Sequence, residues 1–325
     1  MAKKKLTILI PCYNEEENVI PLAEAIRKVT DEKLPNYVTE ILFIDNDSTD
    51  KTRDKVRALC AKDKAVKAIF NAKNFGHIRS PYYGLTQADG DAVMLMCADF
   101  QDPPELIPEF VAKWEEGYQI VVGVKKKSKT NPFVNAIRKF YYHLIHKVSD
   151  VEQIENFTGF GLYDKSFIKV LASLDDPYPY MRGIVAELGY RRYDFPYVQP
   201  ERRAGKTHNN FGTLYDMAMN GFTTYSNFFI RIATFIGVFL ACLSFAGLIV
   251  YAVFLGINWN GVHPSILYPI LGAIGFFFGV TLFFIGMLGE YVLQINRRVL
   301  NRPLVIEEER INFDSKGHED GKEDA

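Results

Sequence analysis

Over roughly the first 125 residues the chain alternates between two hydrophobic patterns. Short, dense apolar runs recur at Lys5–Ile10, Glu40–Ile44, Ala65–Phe70, Asp91–Cys97 and Gln119–Val124, with the length expected of buried strands. Between them, apolar residues fall at helical spacing. Glu15–Thr30 carries Val19, Leu22, Ala23, Ile26 and Val29 on one stripe. Lys51–Ala61, Ser80–Gln87 and Leu106–Glu116 give the next three helices, and Pro81 falls in a first turn, where proline is tolerated. Ser48 or Asp47 stands where it can cap the helix that begins near Lys51. This alternation predicts an α/β fold with a mostly parallel sheet covered on both faces.

The pattern then loosens. Phe133–Val148 places Phe133, Ile137, Phe140, Tyr141, Leu144, Ile145 and Val148 on one stripe, flanked by Arg138, Lys139, His143, His146 and Lys147. That suits a helix lying in a membrane interface and equally one packed on the sheet. Glu155–Tyr163 reads as a turn entering a strand, and Arg191–Val198 as a further strand. Leu214, Met217, Ala218, Phe222, Tyr225 and Phe229 mark a second interfacial helix. From Ile232 to Ile257 and from Ile266 to Gly289 there is no charge at all. Each run is long enough to cross a bilayer, which takes about 20 apolar residues, and the short loop Asn258–Ser265 makes the pair a hairpin. Arg231 precedes it and Arg297, Arg298 and Arg302 follow it, which puts both ends in the cytoplasm. The tail after Val305 is polar and acidic, and its end is expected to be disordered. The expected layout is a catalytic domain over residues 1–210, a juxtamembrane helix over 211–230, two spans within 231–296 and a tail over 297–325.

Composition narrows this picture. The 325 residues carry 38 Lys and Arg against 39 Asp and Glu, a net charge of −1, so no bulk basic field calls for nucleic acid. Cys12, Cys60, Cys97 and Cys242 show no pairing or zinc-ligand spacing, which fits a reducing compartment. The first apolar stretch is too short for a signal peptide. The expected location is the cell (inner) membrane, multi-pass, with the catalytic domain and both termini cytoplasmic.

Candidate chemistry clusters behind the strands. Ligands of parallel α/β sheets bind at the carboxyl ends of strands, and Tyr13–Glu15, Asp45–Asp47, Lys73–Gly76 and Asp99–Asp102 all fall there. In Ala98-Asp99-Phe100-Gln101-Asp102-Pro103-Pro104-Glu105, prolines end the strand while carboxylate and amide oxygens gather. Those oxygens suit Mg²⁺ or Mn²⁺; an ordinary acidic turn before a helix reads equally well from this stretch alone. Arg202, Arg203 and Lys206, in a loop that contains Gly205, suit phosphate oxygens or a solvated basic loop.

Together these motifs resemble glycosyltransferase family 2 in its polyisoprenyl-phosphate branch, from about Leu6 to Leu300. Ile10-Pro11-Cys12-Tyr13-Asn14-Glu15-Glu16 resembles the opening motif, and Asp45-Asn46-Asp47-Ser48-Thr49-Asp50 the nucleotide turn. Lys73-Asn74-Phe75-Gly76 is similar to the Arg-Asn-x-Gly loop. Asp99-Phe100-Gln101-Asp102-Pro103-Pro104-Glu105 resembles the acidic signature, and Arg203-Ala204-Gly205-Lys206-Thr207 the basic loop. The resemblance implies a GT-A (Rossmann-like) fold followed by interfacial helices and a two-helix transmembrane hairpin. It implies that Pro11, Tyr13, Glu15 and Asp45 hold base and ribose, with Asn46, Lys73 and Gly76 in the adjoining turns. It implies Asp99 and Gln101 as metal ligands, and Arg202, Arg203 and Lys206 facing the donor diphosphate or lipid phosphate. Asp102 and Asn156 complete the candidate catalytic set. Three positions depart from the family pattern: Cys97 and Asn46 each replace an Asp, and Asn156 stands where many relatives have a proposed catalytic Asp.

The function so implied is inverting transfer of a hexose from a nucleotide sugar, UDP-glucose or a related UDP-sugar, to undecaprenyl phosphate or a similar polyprenyl phosphate. A phosphate monoester with a second pKa near ~6 is already largely dianionic at neutral pH and needs no strong general base. Two alternatives stand beside it. A processive polysaccharide synthase would carry Gln-x-x-Arg-Trp, and neither Trp114 nor Trp259 sits in that motif. A lapsed sugar-nucleotide-binding protein would account for Cys97, Asn46 and Asn156. Gly272, Gly275 and Gly279 offer a small-residue face for a homo-oligomer.

Overall fold

A computed structural model describes residues 3–126, 154, 157–174, 176, 179–200, 203, 235, 236, 239, 246, 253, 267–300 and 302–313. The chain divides into two compact units. One comprises residues 1–140, 152–209 and 301–325, and the other residues 141–151 and 210–300.

The first unit is built on strands β1 (Lys4–Cys12), β2 (Tyr37–Asp45), β3 (Val66–Asn71), β4 (Ala92–Leu95), β5 (Ile120–Lys125), β6 (Phe157–Asp164), β7 (Arg192–Tyr197) and β8 (Glu307–Ile311). They form one sheet in the order β7-β5-β6-β4-β1-β2-β3-β8. β3, β2, β1 and β4 run parallel, the Rossmann-like half of the sheet. β6 enters antiparallel to both β4 and β5, and β7 returns parallel to β5. The architecture is therefore a GT-A, Rossmann-like mixed sheet with helices.

Both faces of the sheet are covered, which is why its strands read as continuous apolar runs. Leu6, Ile8, Ile10, Ile41, Phe43, Ala68 and Phe70 face one core layer. There they meet α1 (Val19–Lys33) through Leu22 and Ile26, α2 (Thr52–Lys62) through Val56, and α4 (Ile107–Glu115) through Phe110. Leu9, Leu42, Ile44, Ile69 and Val93 face the other layer. That layer is closed by α3 (Gly76–Gln87), α5 (Lys165–Ser173) and α6 (Met181–Glu187). The sequence reading did not separate out α5 and α6, which are short. α3 starts at Gly76, four residues before the expected Ser80, because Gly76 turns the chain into the helix at φ +90°.

One local expectation is corrected. α2 is not capped by Ser48 or Asp47. The Ser48 hydroxyl accepts the Asn14 N–H, and Asp50 accepts the Thr52 N–H instead. Within the polar tail after Val305, residues 307–311 pair antiparallel with β3 as the edge strand β8. No apolar alternation announces β8. Ion pairs hold it: Glu309 to Arg57 at 2.7 Å and Glu308 to Arg53 at 2.9 Å, with the Tyr83 hydroxyl donating to Glu307 at 2.9 Å.

In the second unit, α7 (Leu267–Val299) is one helix of 33 residues that contains the uncharged run up to Gly289. Ile274, Phe278, Ile285, Leu288, Val292 and Ile295 are exposed along it. Counting only fully described residues, no helix is long and apolar enough to cross a membrane. The expected amphipathic helices at 133–148 and 211–230 lie outside the described residues, as does most of the first uncharged run.

Ending the chain after Leu304 would uncover the β3 edge and remove both arginine pairs. Surface pairs contribute ~0.2–1 kcal/mol each and backbone hydrogen bonds about 1 kcal/mol each. The truncated protein is expected to lose about 2–5 kcal/mol in thermal unfolding followed by circular dichroism. An unchanged midpoint would show that β8 is dispensable.

Candidate functional site

Because β1 to β4 are parallel, their carboxyl ends lie on one edge of the sheet. The registers Leu95 with Gly161, Val124 with Phe157 and Lys125 with Tyr197 bring the start of β6 and the ends of β5 and β7 to the same edge. Among the described residues, the non-glycine residues with left-handed backbone are Asn14 (φ 55°), Asp47 (φ 67°), Phe100 (φ 62°) and Asn312 (φ 62°). The first three sit in the turns of this edge. Such conformations cost energy and collect at functional sites.

The turns after β1 and β2 are stitched together. Asn14 N–H donates to the Ser48 hydroxyl at 2.9 Å, Thr49 N–H to Asn14 Oδ1 at 2.8 Å and Glu15 N–H to Thr52 Oγ1 at 2.8 Å. Glu15 Oε2 accepts from Asn18 Nδ2 at 2.6 Å. Pro11, Tyr13 and Glu15 are half-buried on this edge. Asp45 is fully buried. Its Oδ1 accepts from Ser48 N–H at 3.1 Å and from Arg53 Nε at 2.8 Å. The carboxylate expected at the nucleotide therefore also shapes the turn, and Arg53, which sequence reasoning missed, carries it. The signal was available: Arg53 lies eight residues on, in the first turn of α2.

Asn46 ties this turn to the next. Its Oδ1 accepts from Phe75 N–H at 2.9 Å and from Asn71 Nδ2 at 3.1 Å, while its Nδ2 donates to Asn74 Oδ1 at 2.8 Å. Only an amide both donates and accepts here; a carboxylate would face the Asn74 oxygen. Lys73 is exposed, with its ammonium 5.1 Å from the Phe75 ring centre, and Gly76 opens α3.

The acidic turn follows β4. Asp99 is 4% exposed, and its Oδ1 accepts the Gln101 N–H at 3.1 Å. Asp102 is buried beneath it. Its Oδ2 accepts the Cys97 N–H at 2.9 Å, and its Oδ1 accepts the Tyr197 hydroxyl at 3.1 Å. Burial pushes Asp102 from an ordinary 3.8 up to about 6, against the pull of the Cys97 and Tyr197 hydrogen bonds. Cys97 keeps exposed surface although its sulfur lies at the crowded foot of the turn. There desolvation first, then the Asp102 and Asp99 charges, push the thiol well up.

Among the described residues, no group of three or more His, Cys, Asp or Glu side chains gathers to hold a metal. A thiol kept protonated is no ligand for a hard cation. Asp99 and Gln101 are the hard oxygen donors of the turn. That pair fits Mg²⁺ or Mn²⁺ if the remaining ligands come from a diphosphate and water, as Mg²⁺ often arranges. Arg203 is exposed and adjoins this turn; its N–H donates to Asp99 O at 3.3 Å. Arg202, Lys206 and Asn156 lie outside the described residues.

Comparison with known proteins adds to this geometry. Residues 7–171 match the family model of glycosyl transferase family 2. The chain is 33% identical over 306 residues, 93% of its length, to the SfII prophage-derived bactoprenol glucosyl transferase of Shigella flexneri, covering 97% of that protein. It is 31% identical over 306 residues to the prophage bactoprenol glucosyl transferase homolog of Escherichia coli (strain K12), again 93% of this chain and 98% of that one. An uncharacterized glycosyltransferase of Bacillus subtilis (strain 168) is 29% identical over 314 residues, 95% of each chain.

Two outcomes follow from the site. Asn46→Asp is expected to destabilise the protein by about 1–3 kcal/mol in thermal unfolding, the cost of a lost donor in a buried amide network; no change would show that the turn tolerates a carboxylate. For Asp102, the folded pKa is raised, so ionising it opposes folding. That cost is absent below about pH 4 and complete above about pH 6. At about 1.4 kcal/mol per unit it amounts to about 3 kcal/mol. In metal-free protein, Asp102→Asn is expected to remove that part of the stability lost between pH 4 and 7, read from denaturation midpoints. Equal pH slopes for both proteins would show that burial does not perturb this carboxyl.

Proposed function

The chain belongs to glycosyl transferase family 2, and on that premise we propose that it transfers a hexose, glucose first among the candidates, from UDP-glucose to undecaprenyl phosphate at the cytoplasmic face of the membrane. The observation that carries the proposal is the near full-length similarity to bactoprenol glucosyl transferases, which extends past the catalytic unit into the uncharged runs at 232–257 and 266–289. The arginines flanking those runs support a hairpin with both ends in the cytoplasm.

The chemistry asked of the site is modest. A phosphate oxygen of the lipid attacks the anomeric carbon of the sugar, a carbon–oxygen bond forms with inversion, and the bond to the nucleotide diphosphate breaks. The acceptor is already an anion, so Asn156 in place of an acid is no obstacle. The demand is to hold two anions together and to neutralise the leaving diphosphate. Pro11, Tyr13, Glu15 and the Asp45–Asn46 turn would seat the nucleoside. Asp99 and Gln101 would hold a divalent cation, which supplies charge neutralisation at the diphosphate when bound. Arg202, Arg203 and Lys206 would take the remaining phosphate oxygens, and Arg supplies the planar fork that such oxygens favour.

Purified protein with labelled UDP-glucose, UDP-N-acetylglucosamine and GDP-mannose, each with undecaprenyl phosphate, tests the proposal. Transfer from UDP-glucose is expected. Asp99→Asn is expected to lower turnover by about 10²-fold or more, as loss of a charge-stabilising group does. Cys97→Ala should keep most of it, because the backbone N–H that holds Asp102 is retained. Growth of a polymer would favour a processive synthase, and nucleotide binding without transfer a lapsed enzyme.

A further inference from the structure

Phe100 is an aromatic residue held at φ +62° in the middle of the acidic turn. Bulky residues adopt this conformation only where the surroundings impose it. Three contacts converge on its neighbourhood from a single direction, the end of β7. The Tyr197 hydroxyl donates to the buried Asp102 Oδ1 at 3.1 Å. Arg203 N–H donates to the Asp99 carbonyl at 3.3 Å. The Arg203 guanidinium lies 5.1 Å from the centre of the Phe100 ring, within range of a cation–π attraction.

Tyr197 is itself immobilised. It is 4% exposed, its ring meets Phe160 edge-on with centres 5.3 Å apart, and its carbonyl accepts the Lys126 N–H at 2.9 Å. Asp102 is held from the other side by the Cys97 N–H. A rigid sheet end thus grips the floor of the acidic turn through a buried carboxylate. The same turn then offers a ring and a carbonyl to Arg203.

From this we infer that Phe100, Asp102 and Tyr197 form a clasp that fixes Arg203 over the acidic turn, so that the cation-binding and anion-binding halves of the site keep one spacing. All three are positioning residues: they act through Arg203 and Asp99. The inference rests on the transferase reading for what the spacing serves, namely alignment of the acceptor phosphate with the donor. The strained Phe100 backbone is explained by it, because a right-handed turn there would carry the ring away from its place beneath Arg203.

The test uses the full chain in two measurements. Amide hydrogen exchange by mass spectrometry is read for the peptide carrying Asp99–Asp102 and for the peptide carrying Arg203. Tyr197→Phe and Phe100→Leu are each expected to speed exchange in both peptides by about tenfold, the loss of one buried hydrogen bond or its equivalent. Strand peptides of β1 and β2 should not change, and Phe100→Tyr should restore the wild-type pattern. In the transfer assay, the same variants should raise the KM for undecaprenyl phosphate several-fold while the KM for UDP-glucose stays put. Faster exchange in only one of the two peptides, or in neither, overturns the clasp. Faster exchange in both with an unchanged acceptor KM overturns its positioning role. A wild-type protein that transfers no sugar overturns the functional reading instead, and the exchange data then judge the clasp by themselves.

Discussion

Parallel pairing of β1 to β4 is the constraint on which the rest depends. Parallel strands cannot be joined by tight turns, so each must be followed by a crossover, and every crossover leaves the sheet from the same edge. That edge must end apolar strands, start helices and satisfy the freed backbone groups within a few residues. Asn14 and Asn46 do this by accepting N–H groups from neighbouring turns, and Asp45, Asp50 and Asp102 by accepting them within their own. The polar residues that make the site are therefore also the residues that close the fold. Neither role is separable by mutation without measuring both.

The parallel half of the sheet was legible because its strands, buried on both faces, leave unbroken apolar runs, and because α1 carries a full stripe from Val19 to Val29. The acidic turn was legible because the apolar run of β4 gives way to Asp99, Gln101, Asp102 and two prolines, although β4 itself ends at Leu95, well before Pro103. Less visible were contacts made across long separations. Tyr197 bonds Asp102 at a distance of 95 residues, and Arg57 meets Glu309 at a distance of 252. No local periodicity encodes such pairs. β8 was hidden for a related reason: its side chains are mostly charged, and the groups that hold them, Arg53 and Arg57 of α2 and Tyr83 of α3, lie far away in sequence. Ser48 does not cap α2 because its hydroxyl is already committed to Asn14, a choice visible only once both turns are in place.

The departures at positions 46 and 97 have different physical accounts. Asn46 uses both ends of its amide, so it is integrated where a carboxylate would not be. Cys97 contributes its backbone N–H to Asp102, while burial first, and then the Asp102 and Asp99 charges, push its thiol well up. An aspartate at position 97 would place a further negative charge next to Asp99 and Asp102. With Cys97 in that place the turn after β4 carries only the Asp99 and Asp102 charges.

The return of the chain as β8 has a topological consequence. The chain leaves the first unit near residue 140 and re-enters it at residue 152, then leaves it again near residue 209 and re-enters it at residue 301, so the second unit is composed of two segments inserted into the first. A single break anywhere between those points would not by itself free the carboxyl-terminal piece, because that piece carries a strand already paired with β3. The carboxyl-terminal segment is thus a working part of the first unit, because its strand completes that unit's sheet.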